Sequence, residues 1–343
     1  MIRVLRKASG RVMSGLGITR LSHRIGNKKA VILAYHRVLD RKPNFDFDAS
    51  NVSASPNNFN EQMKYLSEKY KVISFDEFVE HHKNNKPLPR NSVIITFDDG
   101  YKDSYLFAYP ILKKLGLPAT IYLTTGHVGK DRLLWWDSLA YMINRTKQES
   151  LELKGLGKIK LNNKANALKV IKSKLKSMYE KDKKLALKSI STVLNVDPPK
   201  QKMFLNWDEV REMSKHNISF GAHTENHPIM TNITHKEAEK EIISSKLTIE
   251  KKLGKKVRSF AYPNGHKSDF NEQIINILKK HGFESAVTYM PGTNSLKSDL
   301  FRIKRVFVRY DDDMIMFKNK LIGVDALLAK TYHSVRSMFG VKR

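Results

Sequence analysis

The stretch VIITFDDG, from Val93 to Gly100, is an apolar run that stops at two adjacent carboxylates and a glycine. Its length and β-branched content read as a buried strand, and Gly100 marks the turn that follows. Asp98 and Asp99 therefore stand where a strand becomes a loop. Side chains alternate along a strand, but the alternation relaxes at its end, so one carboxylate can bind a metal ion while its neighbour faces the water on that ion.

A second stretch, HTENHP from His223 to Pro228, supplies the remaining ligands. Histidines four apart fall on one face of a helical turn, yet the proline after His227 disfavours helix there and leaves a loop open. Two histidines and one aspartate around a divalent ion leave a position for water, as in catalytic zinc sites, and such an ion makes hydroxide available near neutral pH. Taken alone, paired aspartates at a strand end are commonly a turn or a helix cap. Two such histidines alone are often surface residues. Their conjunction, each with its own local syntax, favours the metal reading.

At these residues the chain resembles the polysaccharide deacetylases of carbohydrate esterase family four, the NodB-homology hydrolases. TFDDG matches that family's first motif and the H-T-x-x-H-P pattern its second. The resemblance implies Asp98 as general base and Asp99, His223 and His227 as ligands of a divalent metal, Zn2+ before other first-row ions. It further implies a distorted, incomplete (β/α) barrel over about residues 30–308. The reaction implied is removal of an N-acetyl group from an amino sugar of a polysaccharide or a lipid-linked glycan.

The chain departs from the family pattern at two places. FAYPNG, from Phe260 to Gly265, looks like the third motif, in which Asn264 would offer a backbone N–H to the oxyanion, and it is also a good turn. The arginine that often orients the catalytic aspartate is replaced by Ala261, leaving Arg258, Arg302 and Arg305 as candidates with nothing to choose among them. The late histidine that donates a proton is also missing: His281 reads as a helix C-cap before Gly282, and His333 lies in a basic tail. Near the start, VILAYHRV runs from Val31 as an apolar strand into His36. This is similar to the permuted branch that includes the poly-N-acetylglucosamine deacetylases, and it makes His36 the candidate general acid, a role that suits a side chain titrating near working pH.

The 343 residues, 41% of them hydrophobic, suffice for one large domain. There is no cysteine, which excludes disulfides, thiolate ligands and thiol nucleophiles. A formal charge of +28 calls for an anionic partner. Residues 1–29 and 313–343 intersperse Lys and Arg with large apolar residues. They read as basic amphipathic segments able to lie on an anionic membrane surface or to pack on the barrel, not as a secretion signal or a bilayer span. The expected location is therefore cytoplasmic, peripheral at the inner face of the cytoplasmic membrane. No nucleic-acid-binding motif accompanies the charge, so no specific nucleic acid is expected. An inactive glycan- or membrane-binding barrel is the alternative from another class, opposed by the presence of every expected ligand.

Strands are expected at 30–35, 93–97, 119–124, 218–222, 259–262 and 285–288, with helical periodicity between them, the pattern of an α/β protein. A lysine-rich insertion over about 147–202 reads as polar loop and solvated helices. Before it, Trp135 and Trp136 suit either core packing or stacking on sugar rings, and Asp137 reads as the N-cap of the helix that follows.

Overall fold

The computed structural model describes residues 29–323 except 154 and 156. Residues 1–28 and 324–343, and with them His333 and most of both basic end segments, lie outside the described residues.

Seven strands, β1 (Val31–Tyr35), β2 (Ser92–Phe97), β3 (Ala119–Leu123), β4 (Ile218–Ala222), β5 (Ser259–Ala261), β6 (Ser285–Pro291) and β7 (Ile303–Phe307), pair in parallel in chain order, and β7 pairs back onto β1. The expected (β/α) barrel is present as a closed ring of seven strands rather than the eight of the commonest such fold. Its distortions are local: β4 and β5 share a single paired position, and the register between β6 and β7 slips. The strand missing from the sequence expectation is β7.

Alternation along the strands sorts the apolar side chains. Val31, Leu33, Tyr35, Val93, Ile95 and Phe97 join the large core shared with the surrounding helices, whereas Ile32, Ile94, Tyr122, Ala261, Val287 and Ile303, from six different strands, meet in a second cluster. Gly221 lets Tyr122 into that space, because a Cβ there would lie 2.4 Å from its ring.

The helices used below are α1 (Pro56–Lys69), α2 (Trp135–Arg145), α3 (Lys164–Lys176), α4 (Glu180–Leu194), α5 (His235–Leu253) and, after β7, α6 (Met314–Leu321). Phe317 and Leu321 of α6 enter the main core, so the start of the basic C-terminal segment packs on the barrel. The insertion departs from its solvated reading. It opens with an antiparallel hairpin, Ser150–Leu153 against Gly157–Lys160, and its helices α3 and α4 then bury Ile171, Leu175, Ile190 and Leu194 with Leu139 and Ile143 of the preceding α2 in a separate core. No helix among the described residues is long and apolar enough to cross a membrane.

Candidate active site

The register of the barrel assembles the site. Tyr35 pairs with Phe97, so His36 and Asp98 leave the ring at the same level, and the Asp98 N–H donates to Tyr35 O at 2.9 Å. Leu123 pairs with Ala222, which brings His223 to that same end. In parallel barrels this is the carboxyl-terminal end of the strands, where active sites form. His36, Asp98, Asp99, His223, His227 and Asn264 all line one cavity of about 480 Å³.

Asp99 Oδ1 lies 3.5 Å from Nε2 of His223 and 3.5 Å from Nε2 of His227. All three residues are buried, and among the described residues they form a cluster whose donor atoms lie within 4.8 Å of one another. Both Asp99 carboxylate oxygens are buried without a hydrogen-bond partner, a costly state for a carboxylate that ligation of a cation would relieve. His223 Nδ1 is 2.7 Å from Ala261 O, so that nitrogen carries a proton and Nε2 is the nitrogen that faces Asp99. Burial pushes His227 well below its usual pKa, with the His223 charge adding to the effect, and favours the neutral, ligating form. These residues fit a divalent metal.

The two histidines converge from a loop, not from a helical turn. Thr224 and His227 adopt φ of +65° and +60°, and the His227 N–H donates to Thr224 Oγ1 at 2.9 Å. Among the described residues, Asp99, Thr224 and His227 are the only ones with positive φ that are neither Gly nor Asn. Left-handed backbone at such residues costs of order 1–3 kcal/mol each and persists only where surroundings enforce it. Glu241 of α5 supplies part of that enforcement, its carboxylate accepting from Glu225 N, Asn226 N and Asn226 Nδ2, each at 2.8 Å. No motif singles it out.

Asp98 faces the other way. Arg305, from β7, donates through Nη1 and Nη2 to its two oxygens at 2.8 and 2.7 Å and through Nε to Thr288 O at 3.0 Å. Burial alone would push the Asp98 carboxyl up, but the Arg305 charge and hydrogen bonds outweigh it and hold Asp98 at about 2. This chooses among the three candidate arginines: Arg258 pairs with Glu80, and Arg302 with Asp299 and Glu272, each on the surface. His36 Nε2 lies 3.9 Å from Asp98 Oδ2, and its backbone is fixed by Ser53 Oγ at 2.9 Å. Asn264, at φ +61°, is tied by its side chain to Lys176 Nζ at 2.5 Å and Asp269 Oδ2 at 2.6 Å. Its backbone N–H meets no acceptor among the described residues.

The tryptophans divide their roles. Trp136 is buried and sets its ring edge-on to His227 at 4.6 Å, while its Nε1 donates to Tyr101 Oη at 2.9 Å. Tyr101 Oη in turn donates to Asp137 Oδ2 at 2.6 Å. Asp137 is not the N-cap of α2, a position that Leu134 holds. Its buried carboxylate, pushed up to about 6 by burial, anchors this chain of hydrogen bonds and also accepts from Asp48 N. Both tryptophans line the cavity, as do Lys172 and Lys176 of the insertion, so α3 forms a wall of the site.

A family model described as polysaccharide deacetylase matches residues 85–286. The poly-beta-1,6-N-acetyl-D-glucosamine N-deacetylase of Staphylococcus aureus is 41% identical over 113 residues, which is 30% of this chain and only 38% of the length of that enzyme. Among solved structures, the Streptococcus pyogenes deacetylase PplD superposes with a TM-score of 0.59 at 20% identity, over 85% of this chain and 98% of that one. IcaB from Ammonifex degensii gives 0.56 at 19% identity, over 87% and 98%. At those identities the likeness speaks for the fold. The family match takes in Asp98, Asp99, His223 and His227 but stops short of both His36 and Arg305. It runs from 85 to 286, 202 of 343 residues, far beyond the short motifs themselves, and on that extent the chain belongs to the polysaccharide deacetylase family.

Proposed function

We propose that the chain is a divalent-metal-dependent hydrolase that removes the N-acetyl group from an amino sugar of a polysaccharide or a lipid-linked glycan precursor. The observation that carries this reading is the convergence, in one cavity, of the unpartnered Asp99 carboxylate and two histidine Nε2 atoms with a second aspartate clamped by Arg305.

Asp99, His223 and His227 would hold the ion, and Zn2+ suits such a three-residue set of nitrogen and oxygen donors. When bound, it lowers the pKa of a water molecule and polarises the amide carbonyl. Asp98 accepts a proton from the attacking water as its oxygen adds to the acyl carbon. Held at about 2 by Arg305, Asp98 is ionised at every working pH and so is available to accept that proton. The Asn264 backbone N–H donates to the oxyanion. Collapse breaks the C–N bond, His36 gives its proton to the departing amine, and acetate and a free amino sugar result. On charge alone, we also propose an anionic membrane surface as a partner, at the inner face of the cytoplasmic membrane.

Acetate release from N-acetylglucosamine oligosaccharides tests this, with Asp98→Asn alongside. Acetate and amine should appear in equal amounts from the wild type and from the variant at least about 100-fold more slowly. Unchanged turnover in Asp98→Asn would remove the general-base role, and glycan binding without any release would favour the inactive binding barrel. Co-sedimentation with anionic vesicles tests the membrane partner.

A further inference from the structure

The cavity carries more positive charge than deacetylation uses. Arg41, in the loop after β1, lays its guanidinium 4.3 Å from the ring centroid of Tyr310, and its backbone N–H donates to Tyr310 Oη at 3.2 Å. Its Nη2 touches Val52 O at 3.4 Å, and its Nε is buried with no hydrogen-bond partner. Arg309, the neighbour of Tyr310, lines the same cavity and is exposed. Lys176 projects from α3 onto a neutral acceptor, Asn264 Oδ1.

Among the described residues, none of these three cations has a carboxylate within ion-pair distance. Other cations in the cavity are neutralised: Lys172 by Asp48 and Arg305 by Asp98. Besides Asp98 and Asp99, the only carboxylate among the described lining residues is the exposed Asp311. Lining one cavity with cations that lack an ion-pair partner is unfavourable. Burial and then Lys172 push the Lys176 pKa down, and Asp269 and Asp48, both beyond ion-pair distance, only partly offset them. A neutral glycan would leave that cost in place. An arginine stacked on a tyrosine keeps its in-plane N–H groups for a ligand, and that planar fork matches phosphate oxygens.

We propose that the amino sugar reaches this site bearing a phosphate group, which Arg41, Arg309 and Lys176 receive beside the hydrolytic centre, so that a sugar phosphate or phosphodiester is preferred over a neutral glycan. The proposal rests on the deacetylase reading for the identity of the sugar. Calorimetric binding, which needs no turnover, tests it with N-acetylglucosamine, its 1-phosphate and the methyl phosphodiester. Both phosphorylated sugars should bind at least about tenfold more tightly than the neutral one, with the advantage shrinking as salt rises. If the monoester alone gains, the site takes a terminal phosphate; if both gain, it takes a chain linkage as well. In Arg41→Gln/Arg309→Gln the preference should fall to within about twofold while affinity for the neutral sugar holds. If melting shows the double variant unfolded, Arg309→Gln alone decides, since that side chain is exposed. Equal binding of all three sugars, or a phosphate preference that survives the substitutions because the anion sits elsewhere, overturns the proposal. Acetate release measured in parallel judges the deacetylase reading separately: a phosphate preference with no acetate from any sugar would sink that reading and not the anion site.

Discussion

Replacing Arg305 by Met separates the orienting clamp from the rest of the site. In the folded protein Asp98 titrates at about 2 against an ordinary 3.8. At 1.36 kcal/mol per pH unit, that gap is worth about 2 kcal/mol in favour of the carboxylate. Because the folded value is depressed, this stabilisation is present above pH 3.8 and is lost as pH falls through about 2. Without Arg305 the sign reverses. Burial then pushes Asp98 up, and a protonated carboxyl cannot accept a proton from water. Breaking a buried ion pair from one side costs about 3–5 kcal/mol when the partner stays charged, and less if it takes up a proton. The assay is acetate release against pH, with a thermal melt at each point. At pH 7, kcat/KM should fall at least about 100-fold, and the acid limb of the profile should move to higher pH. The Asp98→Asn/Arg305→Met protein should melt above Arg305→Met. A loss under about threefold with the acid limb unmoved would refute the clamp.

Two other substitutions probe separate parts of the site. His36→Phe should lower kcat by about 100-fold with little change in KM, as expected for a proton donor used only after binding, and retained kcat would move the proton source elsewhere, to water or to His266, which lines the same cavity. Glu241→Ala removes three hydrogen bonds from the loop carrying His227. At about 1 kcal/mol each it should lower the melting temperature and, by releasing a strained loop, weaken Zn2+ affinity about tenfold, and a tight-binding chelator competition reads the second effect.

Legible in the sequence is what sits at the end of a predominantly apolar, strand-like run. Val31–Tyr35, Val93–Phe97 and Ile218–Ala222 each present strand character followed at once by His36, Asp98 and Asp99, or His223. β7 lacked that signal because Ile303–Phe307 carries Lys304 facing solvent and Arg305 facing the barrel interior, where a buried charge is rare. Hence the orienting arginine stayed undecided: it is 207 residues from Asp98, and only ring closure brings the two together. Spacing alone allowed the histidine pair either a helix or a loop. The loop prevails because Asp99, Thr224 and His227 are held in backbone conformations that no periodicity encodes. The insertion misled for a different reason. Its lysines dominate the composition, yet the apolar residues between them, Ile171 and Leu175 on α3 and Ile190 and Leu194 on α4, are spaced to bury one stripe and turn Lys172 and Lys176 into the cavity. Charge counted along a chain says little about which face of a helix carries it.

If hydrolysis depends on an ion held by Asp99, His223 and His227, stoichiometric reconstitution will show it. Protein stripped by a chelator should release no acetate from an N-acetylglucosamine substrate. Activity should then rise linearly with added Zn2+ and level off at about one equivalent per chain, and His227→Gln should require far more Zn2+ or fail to recover. Equal acetate release before and after stripping, or full recovery in His227→Gln at the same equivalence point, would contradict the account.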